Sequence, residues 1–536
     1  MDRKQNKILD KIVLDLYEYK DSSELEFVKA LRQVFSRYKM TPTAKANIIV
    51  AYKNLIKKGK LKANKNFADR LVKRAVRTMS GVSVITVLSK PFVCPGKCVY
   101  CPTEPGMPKS YLSNEPAAAR AKMNLFDPIR QVTMRIQALE NNGHQVDKLE
   151  LLILGGTWSV YPEKYQIEFV RDLFYAANTF GQKRKRAALS LEKEQKINEN
   201  TRYKIIGLTL ETRPDYISPT ELKRMRTLGT TRVQLGVQHT DNKILDLIVR
   251  GHSIEQSIQA TRLLKEVGLK VDHHYMPDLP GSSPAKDLKM MKYVYSSPDL
   301  QPDQIKIYPC VVNEYAELNK WYQAGKYKPY SAKQLLDLLL KIKEITPPWI
   351  RINRLIRDIP EESIIAGNKI TNLRQYLQTE LKKQGKFCQC LRCREVRNDS
   401  ENSAKAILVK REYRASLGDE IFISFESEDK KILYAFLRLR FNDQKDENIF
   451  AELKNASLVR ELHVYGKMIP IYNEDQDDEL SQTQHLGFGK RLMAEAEKIT
   501  KDRGLAKVAV ISGIGVRNYY QKLGYQLEGT YMTKKL

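Results

Sequence analysis

The sequence predicts an α/β protein: a central partial (β/α)6 barrel, preceded by a helical module and followed by an α+β domain. Three patterns carry that expectation. Short apolar runs alternating with helical periodicities begin near Gly81 and recur six times, the sign of parallel strands joined by crossover helices. Ahead of them apolar residues recur at helical spacing, and beyond about residue 400 strands come first and a helix opens on a glycine turn. At 536 residues the chain exceeds one core, and we place its parts at 1–75, 76–385, 386–400 and 401–536.

The first part reads as helices through Ile8, Ile12, Val13 and Leu16, then Val28, Leu31, Val34 and Phe35, with another from Thr43 to Lys57. Between positions 29 and 71 many lysines and arginines, including Lys53, Lys57, Lys58, Lys60 and Lys62, face the single acid Asp69. With a net charge of +28, that local excess, and Tyr38 and Tyr52 among the lysines, points to a polyanion and favours phosphate-backbone docking over a merely solvated face.

The barrel strands are expected at Val82 to Leu88, Leu149 to Leu154, Ile205 to Leu210, Arg232 to Val237, Lys270 to Tyr275 and Gln304 to Tyr308. Chemistry in such barrels sits in the loops after the strands. After the first come Cys94, Cys98 and Cys101, spaced C-x3-C-x2-C on a Pro- and Gly-containing loop. Three thiolates so placed suit three irons of a cubane and leave the fourth open to a ligand. A zinc knuckle would need a fourth ligand, and the next His or Cys is as distant as His144. Gly155-Gly156 follows the second strand and allows close backbone approach to a ligand; Glu211 and Arg213 follow the third. His273 and His274 alternate faces, so at most one points inward, and satisfied core positions are the expectation. The polar insert Gly181 to Lys204 reads as an exposed excursion.

Next, Cys388, Cys390 and Cys393 supply three ligands, and Cys310, at the end of the sixth strand, is expected to complete a structural zinc site; a second iron–sulfur cluster is the alternative. Seven cysteines grouped this way suit metal ligation in a reducing compartment. No run of eighteen apolar residues and no signal-peptide layout is present, so a cytoplasmic protein without membrane partners is expected. Asn398 to Ser403 reads as a linker and the acidic run Asn473 to Glu479 as a solvated loop. In the last part, Gln484, Leu486, Gly487, Phe488, Gly489 and Lys490 form a Q-x2-G-x-G turn into a helix, a place for a pyrophosphate.

The cysteine loop with Tyr100 resembles the signature of the radical S-adenosylmethionine (SAM) superfamily, whose open iron binds SAM. That resemblance implies a [4Fe-4S] cluster on Cys94, Cys98 and Cys101. It makes Gly155 and Gly156 candidates for the methionine amine, and Glu211 and Arg213 for the ribose hydroxyls and carboxylate, against the alternative of a rim ion pair. The glycine turn, with Leu462, His463 and Val464 on a preceding strand and Tyr519 and Tyr520 in NYYQKLGY, resembles a GNAT-type acetyltransferase that binds acetyl-CoA, with one tyrosine as general acid and the other packing.

Together with VRTMSGVSVITVLSKPFVCPGKCVYCP, LTLETRPD, MPDLPG and CLRCREV, these segments resemble the Elongator catalytic-subunit family in its archaeal or bacterial single-chain form. The compact first cysteine spacing favours that form over a eukaryotic one, which would bring accessory subunits. The resemblance implies an enzyme acting on the anticodon stem-loop of tRNA and not on DNA. In it a SAM-derived radical activates the methyl of acetyl-CoA for addition to C5 of the wobble uridine, position 34, leaving a carboxymethyl group. Lys109, beside the cluster, is the candidate for contacting CoA or the base. The rival reading is a protein lysine acetyltransferase whose barrel is a tRNA-binding scaffold.

Overall fold

Six of the expected strands form, with a seventh, one parallel sheet in chain order. They are β1 (Ser83–Leu88), β2 (Lys148–Leu154), β3 (Lys204–Thr212), β4 (Arg232–Gln238), β5 (Lys270–Tyr275), β6 (Gln304–Ile307) and β7 (Arg351–Arg354). This computed structural model describes residues 3–72, 81–370, 372–396, 401–443, 449–465 and 487–536. The seventh strand, Arg-Ile-Asn-Arg, is too short and too polar to announce itself.

Alternation along the strands sets what faces where. β4 reads Arg-Val-Gln-Leu-Gly-Val-Gln, and Val233, Leu235 and Val237 turn outward into one core with Leu263 and Leu264 of the next crossover helix and Val267 at its end. Ile153, Val271 and Ile305 do the same on neighbouring strands. The opposite residues face the inside, where a closed barrel would carry branched apolar side chains. Helices fill the outer layer; several start on a side-chain cap, such as Ser253 with Gln256 and Ser331 with Gln334. The polar insert is only partly an excursion. Its second half forms the helix Leu191–Asn198, and Glu194 is buried because Arg186, Asn178 and the Leu189 N–H all donate to it.

The second sheet holds β8 (Ile407–Arg414), β9 (Gly418–Glu426), β10 (Leu433–Asn442), β11 (Ala456–Val464), β12 (Lys507–Val510), β13 (Gln526–Glu528) and β14 (Tyr531–Lys535), in the order β8-β9-β10-β11-β12-β14-β13. Only β11 and β12 run parallel, and they pair only from Ala456–Lys507 to Val459–Val510. β11 then continues alone on that side. The helix Phe488–Asp502 covers one face through Leu492, Met493 and Ala496.

Four helices, Arg3–Tyr17, Glu24–Arg37, Lys45–Lys57 and Lys65–Leu71, gather a separate apolar cluster around Phe27, Val34, Ile48 and Phe67. Tyr52 belongs to that cluster and not to the basic face: it packs on Phe67, and its hydroxyl accepts from the Asn64 N–H. Lys57, Lys58, Lys60 and Lys62 are exposed.

The second sheet sits beneath the barrel, against the N-terminal ends of its strands. Ile511, Ile514, Leu458 and Tyr531 join the barrel's own core. Gly513 lies flush on β3; a Cβ there would stand 1.9 Å from the Ile206 carbonyl oxygen, so only glycine fits. Beside this contact lies a fully buried ion cluster. Arg460 of β11 donates to Asp303, which precedes β6, at 2.9 and 2.6 Å and to Glu420 of β9 at 2.8 and 3.0 Å. Lys265 stands 3.4 Å from Glu420, and Arg440 donates to the same carboxylate at 3.1 Å. Burial raises the Asp303 pKa, but Arg460, Lys265 and Arg438 outweigh it and hold the carboxylate well below its usual range.

Removing one partner from such a cluster leaves a buried charge uncompensated. Arg460→Met should therefore destabilise the joined unit by about 3–5 kcal/mol, read as a lower thermal transition; melting within a degree of the parent would contradict the assigned role.

Candidate functional site

The loops at the C-terminal strand ends make the upper rim of a cavity of about 1280 Å³. Cys94, Cys98 and Cys101 lie on that rim. Their loop is braced from outside, where Phe92 stacks on Tyr161 at 4.9 Å and the Tyr161 hydroxyl donates to the Lys90 carbonyl. The Cys94 sulfur is 3.6 Å from Thr157 Oγ1. Cys98 lies 3.4 Å from the Arg250 guanidinium, and the Cys101 thiol together with Arg250 draws its pKa well below the usual thiol range. Arg250 is itself anchored by the Gly236 carbonyl. No motif marks Arg250, and sequence reasoning missed it.

Gly155 and Gly156 have φ of +139° and +100°, a region that L side chains rarely adopt, and a Cβ on Gly155 would collide with the Ser89 hydroxyl. Glu211 and Arg213 are not an ion pair. Glu211 accepts from the Tyr111 hydroxyl at 2.6 Å, and burial raises its pKa. Arg213 binds Asp215 at 2.9 Å and the Gly251 carbonyl, leaving buried Nη1 without a partner. Nη1 is aimed at Gly96, where a Cβ would stand 2.5 Å from it. The Lys109 ammonium donates to the Gly96 carbonyl at 2.8 Å, so it closes the cysteine loop and faces the same cavity. Of the two histidines, His273 packs outward on Thr261 and Tyr275, and His274 faces the cavity 3.7 Å from Glu211.

The same cavity continues down to the second sheet, where Leu462, His463 and Val464, on the stretch of β11 that runs past its pairing with β12, line it with Gly487, Gly489, Lys490, Tyr519 and Tyr520. Gly487, at φ +64°, opens the helix. Phe488 turns its ring away, onto Phe425 at 4.5 Å, and so offers a ligand no side chain. A Cβ on Gly489 would stand 2.6 Å from the Tyr519 hydroxyl. Tyr519 is half-buried, and Tyr520 is buried in the core beside Tyr525. His463 stacks on Phe436, and its Nε2 has no partner. Burial, aided by Arg351 and Lys270 and opposed by Glu461, brings its pKa down to about 4. Gln484 and Leu486 lie outside the described residues, as does the acidic run.

Cys388, Cys390 and Cys393 bring their sulfurs within 4.8 Å of one another, the one such group among the described residues. Lys343 and Gln378 donate to Cys393 at 3.6 and 3.5 Å. Cys310 does not join them. The trio sits under the start of β7, where the Leu391 N–H bonds the Ile350 carbonyl, whereas Cys310 follows the far end of β6 and packs with Cys98 and Tyr327. A strand of four residues separates the two places, roughly 13 Å.

Comparison with known proteins adds the family. The profile of the Radical SAM superfamily matches residues 88–294, and that of the Radical SAM C-terminal domain matches 302–383. A tRNA uridine(34) acetyltransferase of Methanocaldococcus infernus is 43% identical over 487 residues, 87% of this chain and 88% of that protein. Elongator complex protein 3 of Saccharomyces cerevisiae is 37% identical over 490 residues, 88% and 86% of the two chains. The solved structure of archaeal Methanocaldococcus infernus Elp3 with an N-terminal deletion superposes with a TM-score of 0.72 at 41% identity, covering 85% of this chain and 99% of its own. Among the described residues no helix is long and apolar enough to cross a membrane.

The low His463 pKa ties stability to pH. The folded protein declines a proton that the unfolded chain takes near pH 6.5, so stability is full above that value and falls as pH drops toward 4. Imidazole resonances of His463 should titrate near 4, and His463→Gln should lose less stability on acidification; a midpoint above 6 would refute the assignment.

Proposed function

The chain belongs to the family of tRNA uridine(34) acetyltransferases and Elongator complex protein 3, and from that premise we propose that it is a radical SAM enzyme that places a carboxymethyl group on C5 of the wobble uridine of tRNA, with acetyl-CoA as carbon donor. The observation that carries this reading is the single cavity joining the cysteine loop to the Gly487 turn and Tyr519. The rival acetylation of protein lysines would need the acyl site to face a peptide outside, and here it opens under the barrel.

We assign zinc to one cysteine trio and the iron–sulfur cluster to the other. Around one zinc ion, with Zn–S near 2.3 Å, tetrahedral sulfurs stand roughly 3.8 Å apart. The Cys388 trio, with its sulfurs within 4.8 Å of one another, fits that spacing. Cys94, Cys98 and Cys101, spaced C-x3-C-x2-C on the cavity rim, suit a cubane with one iron left open. When bound there, the cluster and SAM supply the radical chemistry. The residues do the rest. Gly155 and Gly156 let the backbone come close to SAM, and the unpartnered Arg213 Nη1 stands where a carboxylate would bind. Glu211, fixed by Tyr111, serves the ribose. Lys109 holds the loop and presents an ammonium to thioester or base. At the lower end, the free edge of β11 from Leu462 to Val464 and the turn at Gly487, Gly489 and Lys490 hold CoA, and Tyr519 is the better-placed proton donor because Tyr520 is packed. The exposed lysines from Lys57 to Lys62 support the anticodon stem-loop.

Anaerobically reconstituted protein given SAM, reductant, acetyl-CoA and tRNA should form 5-carboxymethyluridine, detected by mass spectrometry of digested tRNA. Cys98→Ala should abolish it, Lys109→Ala should lower it at least about tenfold, and charge reversal of Lys57, Lys58, Lys60 and Lys62 should raise the KM for tRNA. Acetylated protein with no modified nucleoside would sink the reading. For the metals, protein lacking Cys94, Cys98 and Cys101 should keep one zinc and no iron, and should lose it with Cys390→Ser. Iron in the first variant would overturn the division.

A further inference from the structure

Tyr519 stands on the helix Arg517–Gln521, which has only five residues. A single turn does not persist on its own backbone bonds, so its place is set by what grips it from outside. On one side Tyr520 packs into the core of the second sheet with Tyr525. The other grip comes from the barrel. The residues ahead of the helix lie on the foot of β3, where a Cβ on Gly513 would meet the Ile206 carbonyl and one on Gly515 would stand 2.7 Å from the Lys204 Cβ. The first turn is then bound to the end of the helix Leu191–Asn198, in the insert that reads as an exposed excursion.

Glu199 makes that bond. Its carboxylate, 3% exposed, accepts from Arg517 Nη1 at 3.1 Å and from Lys196 Nζ at 2.8 Å. Its backbone carbonyl accepts from Asn518 Nδ2 at 3.1 Å, and the same amide donates to Asn200 Oδ1 at 2.9 Å. Two successive residues, 517 and 518, are thus tied to one helix end of the barrel. Tyr519, the next residue, lines the cavity, whereas Glu199, Arg517 and Asn518 stand behind it and do not. The phenol has little room to move: its hydroxyl lies so close over Gly489 that a Cβ there would stand 2.6 Å away. A reacting group displaced by about 1 Å can lose 100-fold in rate.

We propose that Glu199 is a positioning residue for Tyr519: through Arg517 and Asn518 the barrel holds the phenol over the Gly489 turn, in the place its proton donation requires. This rests on the function proposed above and on Tyr519 as its proton donor.

The test is a double-mutant cycle on metal-loaded protein given SAM, reductant, acetyl-CoA and tRNA. Tyr519→Phe should lower kcat for 5-carboxymethyluridine about 100-fold. Glu199→Ala should lower it about 30-fold with the KM for acetyl-CoA within about twofold, and Glu199→Gln, which keeps an acceptor for Arg517, should regain most of that loss. In the Tyr519→Phe background, Glu199→Ala should cost less than about twofold more, because a residue that acts through the phenol has nothing left to position. Full additivity of the two losses would overturn the inference. A second readout needs no turnover: in protein carrying 3-fluorotyrosine at position 519, Glu199→Ala should shift and broaden the fluorine resonance, and an unchanged resonance would also overturn it. Both readouts are repeated with Asn518→Ala, which removes no charge and so tests the same grip should Glu199→Ala fail to fold. Tyr519→Phe with unchanged kcat would overturn the inference and leave the function standing, whereas failure of the function shows in the parent, which would then form no modified uridine.

Discussion

Everything in the site depends on one buried contact: Arg460, held between Asp303 of the barrel and Glu420 of the second sheet. Burying such ions is expensive, and apolar residues of similar volume often stabilise as well, so stability is a poor reason for the cluster. Direction is a better one. A guanidinium that donates to two carboxylates and to the Leu269 carbonyl permits one orientation of β11 and no neighbouring one. Three residues further along the strand is His463, at the foot of the cavity. Arg438 of β10 extends the same grip to Glu461 and the Trp349 carbonyl. The ion cluster thus aligns the two ends of the cavity.

Rigidity at the upper end comes from different physics. There, glycines remove side chains where backbones must meet, as at Gly155 against Ser89, and carbonyl acceptors immobilise cations, as Gly96 does Lys109 and Gly236 does Arg250. Each cation keeps one side toward the cavity or the cysteine sulfurs. The lower end relies instead on an interrupted ladder, because β12 stops at Val510 and β11 does not. A strand edge left free on one side near a helix N-terminus suits a phosphorylated, amide-rich ligand such as CoA.

Much of this was legible in the sequence. The strands and the loops after them could be read because apolar runs and turn residues are local signals, and the cysteine spacing because it is a local constraint. Cys310 was misassigned for the opposite reason: elimination among seven cysteines ignores which end of a strand a residue occupies, and Cys310 and Cys390 lie at opposite ends of β6 and β7. Arg250 and the ion cluster were invisible because their partners are distant in sequence, 152 residues apart for Arg250 and Cys98 and 157 for Arg460 and Asp303. The polar lumen was written openly, in Arg-Val-Gln-Leu-Gly-Val-Gln and Lys-Val-Asp-His-His-Tyr. Such alternation ordinarily means a sheet with one solvated face, and only the curling of the seven strands into a partial barrel turns that face inward.

A barrel with a polar lumen must find its stability elsewhere, and this requirement accounts for the arrangement as a whole. Val233, Leu235 and Val237 bury outward against helices, so the apolar core is a shell around the strands. That shell is incomplete at the strands' N-terminal ends, where Ile511, Ile514 and Tyr531 of the second sheet complete it. The acetyltransferase-like sheet is therefore a structural part of the barrel as well as a neighbour of it. Separating the two would expose apolar surface and strand the Arg460 cluster at once, so a fixed geometry between the two ends of the cavity follows from the same contacts that complete the shell.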